Sequence, residues 1–332
     1  MTSFASMSKI GVRRKAVETT LITGGAGFIG SHLVDLLLER GKRVICVDNF
    51  DPFYDPKLKI RNVEGNLRRE NFELIECDIR NKEELEAIFR RHSIDKIIHL
   101  AARAGVRASI QDPVLYQEIN IKGTTNLLEL SKKYQVANFI FASSSSVYGI
   151  DAKIPFNETD NISAPISPYG ATKRAGELFC YGYHHLYHIP ITCLRLFTVY
   201  GPRQRPDMAI RKFTALIDRG EEVPIYGDGS SQRDYTYISD IIGGIASAVG
   251  EKFDYEIINL GNSKAVGLKY LVSLIEANLG KRAKIAALPP QPGDMPSTCA
   301  DISKAQRLLH YNPRVDIEDG VEKFVHWYKR QL

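Results

Sequence analysis

Tyr169 and Lys173 stand four residues apart in Tyr169-Gly-Ala-Thr-Lys173, an interval that puts two side chains on one face of a helix. An ammonium beside a phenol favours the ionised form, so the pair has the makings of a general base for an alcohol. Far upstream, Gly24-Gly-Ala-Gly27-Phe-Ile-Gly30 lies between an apolar run at 17–23 and a helical pattern at 28–40. Its glycine spacing, three and three, is tighter than the usual dinucleotide pattern. A glycine turn between strand and helix is nevertheless where a pyrophosphate is held at a helix N-terminus. Together the two motifs predict hydride chemistry on an alcohol.

Asp48 closes the next apolar run, about twenty residues past the turn. A carboxylate there accepts hydrogen bonds from the adenosine ribose and repels a 2′-phosphate, which predicts NAD rather than NADP. Asn49 and Phe50 offer nothing to an extra phosphate, and Arg43 precedes the run. Asp78, at the end of a third run, is placed to meet the adenine amine, although acids at strand ends also cap helices.

These residues need strand ends to carry them. Apolar runs at 44–48, 72–78, 96–101, 138–143 and 191–197 alternate with helical patterns at 81–92, 113–134 and 167–186. Such alternation predicts an α/β, Rossmann-type doubly wound parallel sheet covered on both faces. After Gly201-Pro-Arg-Gln-Arg-Pro206 the pattern loosens into short strands at 223–226 and 234–238 and helices at 268–279, 303–310 and 318–329. We therefore expect a flexible N-terminal extension at 1–16 and an NAD-binding domain at 17–200 to which some later segments return. Residues 201–332 should form mainly a smaller α/β substrate-binding cap over the carboxyl ends of the strands.

Composition narrows the class. The chain has 332 residues and a formal charge of +5, mild and spread along its length, which argues against a nucleic-acid partner. Cys46, Cys77, Cys180, Cys193 and Cys299 show no paired spacing, as expected of free thiols in a reducing compartment. No apolar run reaches the roughly 18 residues of a membrane span, and no signal peptide is evident; a soluble cytoplasmic protein is expected. His184, His185 and His188 have helical spacing but no acidic or cysteine partner, so they read as a solvated helix end and no metal is expected. His99 reads as a core histidine with its hydrogen bonds met.

The run 138–143 leads into Ser143-Ser-Ser-Ser-Val-Tyr148-Gly, and Pro168-Tyr-Gly-Ala-Thr-Lys173 follows. With these motifs the chain resembles the extended short-chain dehydrogenase/reductase family, specifically its nucleotide-sugar epimerase branch, over nearly all its length after residue 16. The resemblance implies that Ser144, Tyr169 and Lys173 are catalytic. It implies cofactor contacts at Gly24, Gly27, Phe28, Ile29, Asp48, Asn49, Asp78, Ile79, Ala101, Ala102 and Asn120, besides Tyr169 and Lys173. Tyr169 would take the 4-hydroxyl proton of a UDP-sugar while hydride leaves carbon four, with Ser144 bonded to the same oxygen. Dehydratases of this branch place an acid pair after the catalytic threonine, and the decarboxylases that make UDP-xylose place a glutamate just before Val-Tyr-Gly. Here Ser145 and Ser146 occupy those positions, and neither can serve as the extra acid or base. The resemblance therefore implies that the transient 4-ketone has one exit, hydride return to the opposite face, and an isomerase of the EC 5.1.3 class is expected.

Two further stretches, Ala101-Ala-Arg-Ala-Gly-Val-Arg107 and Thr198-Val-Tyr-Gly-Pro-Arg203-Gln-Arg205-Pro-Asp-Met208, resemble the pattern of UDP-glucuronate 4-epimerases. The resemblance implies that Arg205 meets the sugar carboxylate, with Ser144, Ser145 and Ser146 as neutral partners and Arg107 and Thr198 also on the substrate. A guanidinium fork suits a carboxylate and fits a neutral hydroxymethyl poorly. The expected reaction is UDP-glucuronate to UDP-galacturonate; the alternative is 4-epimerisation of UDP-glucose or UDP-N-acetylglucosamine. Arg203-Gln204 departs from the pattern, which often has an aromatic residue or glycine there. Arg233 and Asp294 match family positions for diphosphate and ribose, and Thr298 one whose size admits or excludes an N-acetyl group. Family members dimerise through two helices, here 113–134 and 167–186, which implies a homodimer.

Overall fold

The computed structural model describes residues 18–150 and 152–331; the expected extension at 1–16 lies outside the described residues. Strands β1 (Thr19–Thr23), β2 (Arg43–Asp48), β3 (Phe72–Glu76), β4 (Lys96–His99), β5 (Asn138–Ser144) and β6 (Ile191–Leu196) form where the apolar runs predict them. They are followed by β7 (Thr198–Tyr200), β8 (Glu222–Tyr226), β9 (Gln232–Tyr237), β10 (Tyr255–Leu260), β11 (Ala265–Gly267) and β12 (Lys284–Leu288). The large sheet has the order β10-β6-β5-β4-β1-β2-β3, and every pairing in it is parallel.

Alternate residues serve opposite faces of that sheet. Val44, Cys46, Ile140 and Ala142 join a core shared with the helices Phe28–Glu39 and Ile238–Gly250. Ile45, Val47, Phe139 and Phe141 join a second core with the helices Lys82–Arg91, Gly123–Lys133 and Pro168–Tyr187. Burial on both faces is why these strands read as continuous apolar runs rather than alternating ones. Strand order reverses between β1 and β4, and that switch point opens a crevice beyond the carboxyl ends.

Two features escape the sequence pattern. β10 comes from beyond residue 200, pairs with β6 and forms the edge of the large sheet; its half-exposed first half, Tyr255-Glu-Ile, hides the apolar signal. The helical pattern at 113–134 is one stretch in sequence but three in space: Pro113–Gln117, a wider π segment Glu118–Lys122, and Gly123–Lys133. Such widened turns recur at functional sites, and this one carries Asn120. The smaller units, β11-β9-β7 and β12-β8, lie beside the crevice.

Candidate active site

The helix Pro168–Tyr187 begins with proline in its first turn and with Ser167 as its cap, the Ser167 hydroxyl accepting from the Gly170 amide at 3.1 Å. Glycine is needed at 170 because a Cβ there would lie 2.2 Å from the Ser146 carbonyl oxygen. This close approach sets the helix start against the turn that follows β5. In that turn Ser144 accepts from the Ser146 amide at 3.1 Å, and its hydroxyl is close enough to the Tyr169 phenol to favour the ionised form. The Tyr169 amide is tied to Ser109 Oγ at 3.0 Å.

The electrostatics differ from the simple lysine–phenolate expectation. Burial raises the Tyr169 pKa above its ordinary value, and the groups that pull it back are Ser144 and Arg205. Lys173 Nζ instead donates to the Ala142 carbonyl at 2.7 Å and sits 5.0 Å from the centre of the Phe141 ring. The Ala142 carbonyl thus fixes the lysine at the end of β5, one helical turn from the tyrosine, and both residues line the cleft. Behind it, His99 is fully used, Nδ1 with Thr23 Oγ1 at 2.7 Å and Nε2 with Thr124 Oγ1 at 3.0 Å. Burial, followed by the Lys173 charge, lowers its pKa to about 3, so His99 is a neutral core residue.

The dinucleotide side fits NAD. Gly24 has φ +69°, its amide donates to Val47 O at 2.7 Å, and a Cβ on it would fall 2.7 Å from the Ala101 amide nitrogen. Only glycine lets the turn pass this close to the end of β4, leaving the start of Phe28–Glu39 open to a pyrophosphate. Asp48 is buried with its Oδ1 accepting from the Phe50 amide at 2.9 Å. Asp78 is a different case. Its Oδ1 accepts from the amide and Nε of Arg80, and its Oδ2 from Arg80 Nη2 and Asn49 Nδ2, all within 3.0 Å. Burial pushes its pKa up, but these bonds hold it at about 2. Asp78 thereby organises this edge of the cleft, and Arg80 and Asn49 share the oxygens that an adenine amine would use.

All the expected cofactor and substrate residues line one cleft of about 1250 Å³, with the exception of Asn120. Asn120 is buried behind the wall, its amide donating to Arg103 O and Thr172 Oγ1 (3.0 Å each) and accepting from the Arg103 amide at 2.8 Å. It braces the loop after β4 against the helix Pro168–Tyr187. On the opposite wall, Arg205 is close enough to Tyr169 to influence its charge, and its Nε and Nη2 grip Asp207 at 3.0 and 2.8 Å. The Arg203-Gln204 departure resolves cleanly. Arg203, at φ +64°, turns away to pair with Asp35 at 2.7 Å, and buried Gln204 donates to Val199 O at 3.1 Å. Arg205 is thereby left facing the cleft. Arg107 and Asp294 pair with each other at 2.7 Å across the opening, Arg233 lies near the exposed start of β9, and Thr298 receives the Asp234 amide at 3.3 Å.

The family described as GDP-mannose 4,6 dehydratase matches residues 21–324. The chain belongs to that family. Within it, the chain is 44% identical over 313 residues to a UDP-glucuronate 4-epimerase of Thermodesulfobacterium geofontis, covering 94% of this chain and 96% of the relative. Its fold is similar to the crystal structure of UDP-glucuronic acid 4-epimerase from Bacillus cereus in complex with UDP-glucuronic acid and NAD. That likeness has a TM-score of 0.89 at 40% identity and covers 95% of this chain and 100% of the other. It is also similar to a UDP-glucose 4-epimerase of Thermotoga maritima, solved with UDP-glucose, at TM-score 0.87 and 36% identity, with coverage of 94% and 99%.

Family motifs did not lead to several residues that shape this cleft. Arg103 pairs with Asp51 at 2.5 Å and stacks 4.2 Å over Phe53, whose ring also lies 5.4 Å from the Arg205 guanidinium. Lys59 reaches Asp48 from the helix Pro56–Val63. The available signal was the segment Asp51-Pro-Phe-Tyr-Asp-Pro56, a loop with two acids and two aromatics at the carboxyl end of β2, where folds of this type bind ligands.

Lys173 allows a stability test. Burial lowers its pKa from 10.5 to about 8, so below pH 8 the folded state carries a charge it disfavours, at a cost of about 3 kcal/mol. Between pH 8 and 10.5 the folded state sheds that proton while the unfolded chain keeps it, and the cost fades. Lys173→Met, similar in volume, is expected to raise the urea midpoint at pH 7 and to lose most of that gain at pH 10. An unchanged midpoint at pH 7 would show that the lysine is not held charged at a cost.

Proposed function

We propose that the protein is an NAD-dependent 4-epimerase that interconverts UDP-glucuronate and UDP-galacturonate, an isomerase of the EC 5.1.3 class. The observation that carries this reading is Arg205 on the cleft wall within electrostatic range of Tyr169, with serines rather than acids at 145 and 146. The UDP-glucuronate 4-epimerase relative and the structure solved with UDP-glucuronic acid and NAD support it.

Bound NAD⁺ supplies the hydride acceptor and donor for carbon four and a cationic ring beside the phenol. Tyr169 removes the C4 hydroxyl proton and later returns it, and Ser144 holds the same oxygen. Lys173, fixed at the end of β5 by the Ala142 carbonyl, contributes positive charge. Ser145 and Ser146 can hydrogen-bond the sugar but cannot assist loss of water. A 4-ketone puts a uronate's carboxylate in a β-keto relation, so Arg205 has to keep that group charged and oriented to prevent loss of carbon dioxide. Asp207, which occupies the guanidinium fork, leaves Nη1 and the outer edge of Arg205 for an end-on carboxylate.

Incubation with UDP-glucuronate, UDP-glucose and UDP-N-acetylglucosamine in turn, with products identified by NMR, tests the reading; conversion confined to the neutral sugars would overturn it. Arg205→Ala is expected to lower kcat/KM for UDP-glucuronate by about 30- to 100-fold, the size of a lost charged hydrogen bond. Any UDP-glucose activity should fall far less, and equal losses would remove the assigned role. UDP-glucose is the second reading, favoured by the Thermotoga maritima structure. The reading extends to the domain division at about residue 200, to a cytoplasmic location and to a homodimer. No helix among the described residues is long and apolar enough to cross a membrane. The dimer face would use Leu178, Tyr181 and Leu186 on the catalytic helix and Val114 beside it, all at least half exposed. Light scattering at micromolar concentration should give twice the chain mass.

A further inference from the structure

Asp48 alone should discriminate against NADP by charge, yet its charge does not stand alone. Lys59, 7% exposed, sits on the helix Pro56–Val63 with Nζ 3.2 Å from Asp48 Oδ1 and 5.3 Å from the centre of the Tyr54 ring. Both Asp48 and Lys59 line the cleft. One turn further along the same helix, Asn62 donates to the Ala26 carbonyl at 3.0 Å, which fixes the helix to the glycine turn. The lysine is held in place from both ends.

The hydrogen bonds divide the carboxylate into two roles. Oδ1 takes the Phe50 amide at 2.9 Å and the Lys59 ammonium, and Oδ2 receives no bond from the described residues. The pair is close to neutral overall, so long-range repulsion of a 2′-phosphate is weak. What remains is a matter of hydrogen-bond polarity. Oδ2 is an acceptor facing the cleft; ribose hydroxyls can donate to it, and phosphate oxygens, being acceptors, cannot. The ammonium has three N–H groups and gives one to Asp48, which leaves donors for a ribose hydroxyl oxygen or, once Asp48 is neutral, for a phosphate.

We propose that Lys59 is a cofactor-selecting residue: it locks Asp48 in a pose that reads ribose hydroxyls, and it is a latent 2′-phosphate site held in check by Asp48. The assignment rests on the NAD reading above. In this arrangement the discrimination against NADP resides in one carboxylate oxygen, and the cation needed to reverse it is already in place.

The test is calorimetric titration of the nucleotide-free full chain with NAD⁺ and with NADP⁺ separately. Wild type should bind NAD⁺ at least about 100-fold more tightly. Lys59→Met should weaken NAD⁺ about tenfold without improving NADP⁺. Asp48→Asn turns the reading atom into an amide and releases the ammonium, and should tighten NADP⁺ by about tenfold or more; adding Lys59→Met to it should abolish that gain. A double variant that keeps the gain, or a Lys59→Met chain that binds NAD⁺ as wild type does, overturns the assignment while leaving the NAD reading intact. A wild-type chain that binds neither dinucleotide overturns both. Should Asp48→Asn fail to fold, judged by its thermal transition, Lys59→Met alone decides, with Lys59→Arg expected to restore NAD⁺ affinity to within about threefold.

Discussion

Tyr169→Phe is expected to reduce turnover of UDP-glucuronate by about 10³-fold, within the range for removing a general acid–base group. Dinucleotide affinity and thermal stability should stay near wild type. The substitution removes one oxygen from a ring whose edge-to-face contact with Tyr116, centroids 6.2 Å apart, is retained. The neighbouring imidazole offers no replacement base, because His99 has both nitrogens engaged by threonines and is held neutral by burial. Steady-state turnover by NMR, with calorimetric NAD⁺ binding as the control, measures both halves. Turnover within tenfold of wild type would mean that another group moves the proton.

A second large effect is expected at a residue no motif marks. Glu177 follows Lys173 by one turn and has no exposed surface. It receives Arg195 Nε at 2.9 Å and Nη2 at 3.0 Å, Arg174 Nη1 at 3.0 Å and Ser143 Oγ at 2.6 Å. Arg195, equally buried, continues to Tyr148 Oη at 2.9 Å, and that hydroxyl donates to Asn259 Oδ1 at 2.8 Å. The network joins β5, β6, β10 and the catalytic helix next to Ser144. Glu177→Ala leaves Arg195 charged and uncompensated in the interior and is expected to cost about 3–5 kcal/mol. Glu177→Gln keeps acceptor and shape and should cost roughly half of that. Urea unfolding with an unchanged m value is the measurement; a loss under about 1 kcal/mol for alanine would show that the pair is solvated or replaceable. Because Ser143 is bonded to this carboxylate, the glutamine variant should also turn over more slowly, through a displaced Ser144 rather than lost chemistry.

The legible part of the site is the part written in short intervals. Gly24 and Asp48 are readable because a turn and a strand end are local events, and Ser144 and Tyr169 because each begins or ends an element with its own pattern. The lysine is readable as a partner on the helix face, but not as a group that donates to Ala142, since that depends on how deeply the helix sits against β5. Asn120 fails for a similar reason: a widened turn inside an apparently continuous helix moves it behind the cleft wall. The bonds from Arg80 and Asn49 to Asp78 were not legible, because an acid at a strand end looks the same in sequence whether its lone pairs are free or taken.

The order of apolar and helical periods was enough to determine the parallel sheet, its two covered faces and a crevice for a dinucleotide, since backbone hydrogen bonding and burial respond to patterns a few residues long. Pairings such as Arg203 with Asp35, Arg107 with Asp294 and Glu177 with Arg195 were decided only by the tertiary structure. Their strength depends on distance and dielectric, and both are set by which strand ends and helices converge, not by position along the chain.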